Sequence, residues 1–392
     1  MQGLLDLDRR ITVVVSANFL AIAARMSLVQ FLGIYYSHHV GIDVAVVGLG
    51  FLFESLARGL LAPMFGALSD RIGRRALLLA SALSTAVILP CFLMVDGPAS
   101  LVLWSLTLGI TGAVNMPVAS ALLLDLAPPD RRQSVLALNY TGMSVAYTLG
   151  VVPAGYVAEQ GYGFLAIGSA AGYILVALLY ALALRGPLPA EKTAGESNFA
   201  RDTVSVFFDP RFALFAGIAF VFPLSMGMLV TVTPLYGADV GLREGYIGAV
   251  LGANSILVAV LALPVATRIE AQGPFRFLGL AAAIIAAALA SFALIPGAAA
   301  AFLTGTIVYS FGEVIFSSAV PAAVARLAPA GRRGAYQGGW TLVASLAMGS
   351  ALVVSGLISK VAGWHAAWLL GAALTLVAAA LLFALRERFQ KA

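Results

Sequence analysis

Between Arg75 and Asp96 lie 20 consecutive residues, Ala76 to Val95, without one charged side chain. At about 1.5 Å of rise per residue, a helix of that length crosses the hydrocarbon core of a bilayer. The pattern recurs along the chain: Gly97–Leu124, Gln133–Ala158, Gly161–Leu184, Phe212–Ala238, Gly245–Thr267, Phe277–Gly312, Gly334–Ser359 and Val361–Leu385 are also free of Asp, Glu, Lys and Arg. Phe277–Gly312 is too long for one span and is interrupted by Pro296-Gly297, a turn signal, so it holds one span and most of a second. With a first span beyond Arg10 and the apolar segment Val44–Leu68, the pattern predicts 12 spans. Only 10% of residues are charged and 61% are hydrophobic, where soluble domains carry roughly a quarter charged. A water-soluble globular core is excluded, and the fold class is an all-α polytopic membrane protein.

The placement of charge sets the threading. Lys and Arg near span ends are retained on the cytoplasmic side. Arg9, Arg10, Arg71, Arg74, Arg75, Arg131, Arg132, Arg185, Lys192, Arg201, Arg332 and Arg333 all fall on one side of the predicted bundle, and only Arg243 and Lys360 fall on the other. The net charge of +5 is therefore topology and not a nucleic-acid patch. The expectation is a multi-pass protein of the cell (inner or plasma) membrane with both termini cytoplasmic. Met1–Arg10 carries two Asp beside two Arg and no cleavage signal, so no signal peptide is expected. The lone Cys91 excludes a disulfide within the chain and a cysteine-based metal site.

Shifted by 200 residues, the chain aligns with itself. Tyr36, Val40, Gly41, Gly48 and Ser55 fall on Tyr236, Val240, Gly241, Gly248 and Ser255, and Asp70 and Gly73 on Glu270 and Gly273. At a shift of 201, Leu126-Ala127-Pro128 with Arg131-Arg132 falls on Leu327-Ala328-Pro329 with Arg332-Arg333. Six spans per copy in equal orientation define a parallel repeat, and two such halves around a midplane cavity can rock to give alternating access. The expected division is an N-terminal six-helix half over 1–185, a polar cytoplasmic linker over 186–208 and a C-terminal half over 209–392.

On these residues a resemblance can be stated. Gly66-Ala67-Leu68-Ser69-Asp70-Arg71-Ile72-Gly73-Arg74-Arg75 resembles the loop 2–3 signature of the major facilitator superfamily (MFS), G-x-L-x-D-R-x-G-R-R, and Thr267–Arg276 resembles its degenerate second copy. The resemblance implies the MFS fold, 12 transmembrane helices in two pseudo-symmetric halves, and secondary transport without ATP hydrolysis. It also implies that Asp70, Arg71 and Arg74, with Gly66 and Gly73, form a latch against the start of span 11. Span 1, with Arg25-Met26-Ser27 before Phe31-Leu32-Gly33-Ile34-Tyr35, and span 5, with Gly142, Gly150, Pro153 and Gly155, are similar to the drug:proton antiporter branch. Two departures stand out. Val151-Val152 separate Gly150 from Pro153, and Leu108 stands where that branch carries a span 4 Arg.

Four charged residues sit near span centres: Arg25, Glu54, Arg58 and Glu313. A charge at that depth costs at least a few kcal/mol, so these are the candidate proton-coupling and substrate residues. Glu54 and Arg58 are spaced i,i+4, which fits a structural ion pair. The sharper reading has Glu54 pair with Arg25 and release a proton as that pairing tightens. Glu313 shows no sequence partner, and desolvation disfavours the charged form of a lone carboxylate, a property that a proton carrier uses. Asp125, before Pro128-Pro129, is expected to pair with loop arginines, and Gly248 and Gly252 mark a close helix contact. His38-His39 reads as a solvated loop pair.

Cavity candidates are Asn18, Gln30, Tyr35, Asn115, Asn139, Tyr140, Tyr147, Met226, Asn254, Tyr309 and Trp340. The first functional reading is export of a small lipophilic or cationic molecule by proton antiport, and the second is an anionic metabolite or lipid bound at Arg25. No P-loop, metal-spaced cluster or G-x-S-x-G turn points to an enzyme. No metal or cofactor is implied, the proton gradient being the energy source. The expected partners are a small-molecule substrate, protons and the lipid bilayer, with no nucleic acid, and the chain is expected to be a monomer.

Overall fold

The computed structural model describes residues 8–128, 131–184, 203–329 and 332–390. The linker residues 186–202, with Arg185, Lys192 and Arg201, lie outside the described residues, as does the Asp70 side chain. Among the described residues all regular structure is helical. Ten apolar segments come first: α1 (Arg9–His39), α2 (Val44–Ser69), α3 (Arg74–Met94), α4 (Pro98–Leu126), α5 (Ser134–Ala158), α6 (Tyr162–Leu182), α7 (Pro210–Asp239), α8 (Glu244–Gln272), α9 (Phe275–Leu294) and α10 (Ala298–Leu327). The eleventh segment, Arg333–Gln390, is 58 residues long and so twice what a bilayer accepts. Gly363 breaks it with a left-handed φ of 79°, leaving α11 (333–362) and α12 (364–390). The sequence count of 12 is therefore met by 11 continuous segments, the last of them folded on itself at one glycine.

Local chemistry sets the helix starts. Asp8, Asp43 and Asp209 each stand one residue before a helix and accept from the backbone N–H of Arg10, Ala45 and Arg211 at 2.8, 3.0 and 2.9 Å. A carboxylate there satisfies an otherwise unpaired donor and meets the positive end of the helix dipole. The repeat shows in the backbone as well. Gly73 (φ 93°) and Gly273 (φ 86°) make the same one-residue reversal after α2 and α8, a conformation that side-chain-bearing residues rarely adopt.

Two seams join α1–α6 to α7–α12. In one, α2 meets α11 so closely that a Cβ on Gly48 would collide with the Val353 backbone, and Ser55 Oγ donates to the Ser345 carbonyl at 2.9 Å. In the other, α5 meets α8: a Cβ on Gly248 would lie 2.8 Å from the Val151 carbonyl oxygen, and Gly245 N donates to Glu159 Oε1 at 2.9 Å. Gly48 and Gly248 are 200 residues apart, so the seams repeat each other.

The end carrying residues 39–43, 240–243 and 360–363, the hairpin end, is sealed. There His38 Nε2 pairs with Asp239 Oδ1 at 2.6 Å, Lys360 Nζ with Asp43 Oδ2 at 2.7 Å, and Trp364 Nε1 donates to Asp239 Oδ2 at 2.7 Å. Toward the other end, which carries Asp8 and Gln390, the glycine contacts along the two seams stop at Gly59 against Ser345 and Gly252 against Thr148. Beyond them Met64, Tyr140 and Leu263 are 64%, 69% and 74% exposed. The two sets of six helices are thus closed at the hairpin end and parted at the terminal end.

Candidate functional site

The seams end at the depth where the charged residues of the spans gather. Glu54 on α2 is 6% exposed and takes two cations. Arg25 Nη2 donates to Glu54 Oε1, and Arg58 Nη2 lies 3.4 Å from Glu54 Oε2 along the same helix. Glu54 thus pairs both with Arg25 from α1 and with Arg58 one turn away on its own helix. Arg25 Nη1 would stand 3.2 Å from a Cβ on Gly112, so the bare α4 backbone makes room for the guanidinium. Tyr173 from α6 presents its hydroxyl to the same group.

Across the interface, Glu313 on α10 is 8% exposed. It has a partner that its sequence surroundings did not reveal: Asn254 Nδ2 on α8 donates to Glu313 Oε2 and to Ser310 Oγ, both at 2.9 Å. Repeat register relates the two clusters. Glu54 falls on Asn254 at a shift of 200, Arg25 on Ser225, and Gly112 on Glu313 at a shift of 201. Where the first half places a carboxylate, a guanidinium and a bare glycine, the second places an amide, a hydroxyl and a carboxylate. Ser225 Oγ lies 3.3 Å from Tyr309 Oη, and Tyr309 is fully buried.

A hydrogen-bonded bridge crosses the centre. Tyr147 Oη on α5 donates to Gln30 Oε1 at 2.9 Å, and Gln30 Nε2 donates to the Val230 carbonyl at 2.6 Å. Val230 lies within a π-turn of α7 (Met228–Val232), a local register shift that interrupts regular helical bonding. Gln30 and Val230 are themselves 200 apart, which puts this contact on the pseudo-twofold axis. Tyr147 is within electrostatic reach of Glu313, so this bridge links the neighbourhoods of the two halves.

Other candidates fall elsewhere. Asn18, Asn115 and Asn139 bond one another: Asn18 Nδ2 donates to Asn139 Oδ1 at 2.8 Å and Asn115 Nδ2 to Asn18 Oδ1 at 3.2 Å, with Tyr180 Oη donating at 3.4 Å to Asn18 Oδ1. This network ties α1, α4, α5 and α6 together inside the first half. Tyr35 packs among Phe92, Tyr162 and His39 near the hairpin end. Trp340 sits against Phe215, Met226 is half-buried, and Tyr140 is exposed in the parted region. At the terminal end Arg74 pairs with Asp125 within the first half, while Arg71 is exposed. Gly66 stands 3.9 Å, through an added Cβ, from Pro117.

Twelve apolar helices, sealed at one end and parted at the other around buried opposite charges, have the architecture of a membrane transporter. The family model described as Major Facilitator Superfamily matches residues 14–306 and 216–392. The chain belongs to that superfamily, and it is a transporter. Multidrug resistance protein MdtG of Salmonella paratyphi A is 26% identical over 277 residues, covering 68% of this chain and 67% of that protein. Among solved structures, the nucleoside transporter NupG superposes with a TM-score of 0.81 at 17% identity, covering 96% of this chain and 99% of its own. A bacterial homolog of the human lysosomal transporter Spinster gives 0.80 at 14% identity, covering 97% of each chain. A POT family transporter gives 0.79 at 14% identity, covering 97% of this chain and 96% of its own.

Proposed function

We propose that the chain exports a small lipophilic or cationic molecule in exchange for protons, with its terminal end in the cytoplasm. The observation that carries this reading is the pair of buried midplane carboxylates, Glu54 and Glu313, one on each half, at the depth where the inter-half seams stop. A buried carboxylate has to be matched by a cation or a proton, because a bare charge at that depth is costly. Exchange of one for the other is the elementary event of proton antiport. The basic loops at the terminal end support the orientation, and the similarity to a multidrug resistance protein supports a drug-like substrate.

In the state described, the cleft opens at the terminal end and Glu54 is held by Arg25. In the proposed cycle this is the arrangement after proton release. Opening the hairpin end requires the seams, the His38–Asp239 and Lys360–Asp43 pairs and the Gln30 bridge to part. Glu54 and Glu313 would load protons in that second state, and proton binding would oppose binding of a cationic substrate. Asp70, with Arg71 and Arg74, acts as the latch of the terminal end when it closes. Asp70→Asn is expected to cut transport without lowering expression, and normal turnover would remove the latch.

The test uses purified protein in liposomes with a pH dye inside. Addition of a lipophilic cation is expected to drive protons in the opposite direction. A second reading, an anionic metabolite or lipid headgroup bound at Arg25, draws on the two nitrogens of that guanidinium, Nε and Nη1, that have no hydrogen-bond partner among the described residues. Loss of binding in Arg25→Ala with proton movement retained, together with a response to anions and none to cations, would favour it.

A further inference from the structure

With the hairpin end sealed, the cleft between the halves offers no path from that side to Glu54. The first half contains a small buried pocket of its own. Enclosed by α1, α2 and α4, with no lining residue from the second half, it runs from Val47 and Leu101 down to Glu54. It has room for about one water molecule. Its wall is apolar apart from Tyr36, Ser105, Glu54 and the Trp104 ring, whose Nε1 is already committed to the Ile88 carbonyl at 2.8 Å. Tyr36 is 1% exposed, and its hydroxyl has no hydrogen-bond partner among the described residues. Buried hydroxyls are nearly always satisfied by protein or by water. Tyr36 also stands in a π-turn of α1, Tyr35–His39, a local register shift that recurs at functional sites.

We propose that this pocket holds water joining the Tyr36 hydroxyl and Ser105 to Glu54, and that Glu54 takes up its proton from the hairpin side through it, apart from the substrate cleft. The proposal rests on the reading of Glu54 as a proton-exchanging group. An internal water needs two to four polar partners, which Tyr36, Ser105 and Glu54 supply. In the transfer, a water O–H bond breaks as its proton passes to a Glu54 oxygen, and the water regains a proton from the Tyr36 side. Tyr36 replaces the proton it gives with one arriving from the hairpin end. Each relay oxygen finishes neutral, and only Glu54 changes charge.

The groups facing Glu54 are Arg25 from α1, Arg58 from its own helix and Tyr173 from α6. Proton transfer to Glu54 through the pocket competes with its ion pair to Arg25. When Arg25 on α1 moves away from Glu54 on α2, a rearrangement inside the first half, the carboxylate can accept a proton. Rocking of one half against the other leaves the pocket in place, because all its walls belong to the first half.

The test variant is Tyr36→Phe/Ser105→Ala, which removes two oxygens and keeps the aromatic ring between Tyr35 and Trp104. The readout is the infrared carbonyl band of protonated Glu54, identified as the band that appears on acidification and is missing from Glu54→Gln. Its deuteration after transfer to heavy water is expected to slow on the order of tenfold or more in the double variant. Proton-driven transport should slow with it, while substrate–substrate exchange at equal pH stays at the wild-type rate. Deuteration at the wild-type rate overturns the proposal. If instead Glu54→Gln leaves proton-driven transport intact, the antiport role of Glu54 falls, and the infrared rate still decides the pocket.

Discussion

Glu54 and Glu313 are buried to similar extents, 6% and 8% exposed, yet their surroundings differ in kind. Glu54 neutralises Arg25, and removing one member of a buried ion pair leaves the other charge without compensation, a loss of about 3 kcal/mol or more. Glu313 receives a neutral amide from Asn254, and a glutamine can accept the same bond. Glu54→Gln should therefore lower the thermal midpoint in detergent clearly, and Glu313→Gln should change stability by less than about 1 kcal/mol. Equal shifts would contradict the difference in environment. The three charges Arg25, Glu54 and Arg58 were legible in the sequence because any charge in an apolar span stands out. The Asn254–Glu313 bond was not, since 59 residues and a full intervening helix separate its members. Repeat register offered the missing signal, because Asn254 is the counterpart of Glu54 and Glu313 that of Gly112. The asparagines read differently again. An Asn in a span resembles a cavity group whatever its rotation, and only the packed helices show Asn18, Asn115 and Asn139 turned toward one another.

Among the elements, α2 does the most positioning. It begins at the Asp43 cap, carries Gly48 at the α11 seam, presents Glu54, and ends at the Gly73 reversal. Gly48→Leu should prevent closure of the hairpin end, because its side chain would meet the Val353 backbone. In a Cys91→Ser background, a Val44→Cys reporter should then label faster with a membrane-impermeant thiol reagent, and an unchanged rate would contradict the seam. The Asp43–Lys360 bridge adds a pH dependence. The Lys360 ammonium bonded to Asp43 holds this carboxyl below the usual aspartate range, opposed by its slight burial and helped by the Ala45 N–H. A lowered value means that the bridge contributes fully above the ordinary aspartate pKa of about 3.9 and is lost as pH falls through the lowered one. Thermal stability should accordingly decline more steeply below about pH 4 in the wild type than in Lys360→Gln. Parallel curves would show that the bridge contributes nothing. Helix existence was legible from charge-free length. The π-turns at Tyr35–His39 and Met228–Val232 were not, since no local residue pattern distinguishes them from regular helix.

At the scale of the molecule, the two seams and the paired Gly73 and Gly273 reversals follow the same 200-residue register that the sequence displays. The span pattern and the repeat were therefore open to reading from sequence. The conformational state was not, because one sequence must encode both closures and only contacts reveal which one is formed. Here the hairpin end is formed, through Gly48–Val353, Gly248–Val151 and the His38–Asp239 pair. Under the proposed function, alternating closure is coupled to protons by the buried carboxylates Glu54 and Glu313. The most direct measurement follows pH-gradient-driven uptake of a lipophilic cation into inverted proteoliposomes, comparing wild type with Glu54→Gln/Glu313→Gln. Gradient-driven accumulation is expected in the wild type and only gradient-independent equilibration in the double variant. Accumulation in the double variant at the wild-type level would contradict it.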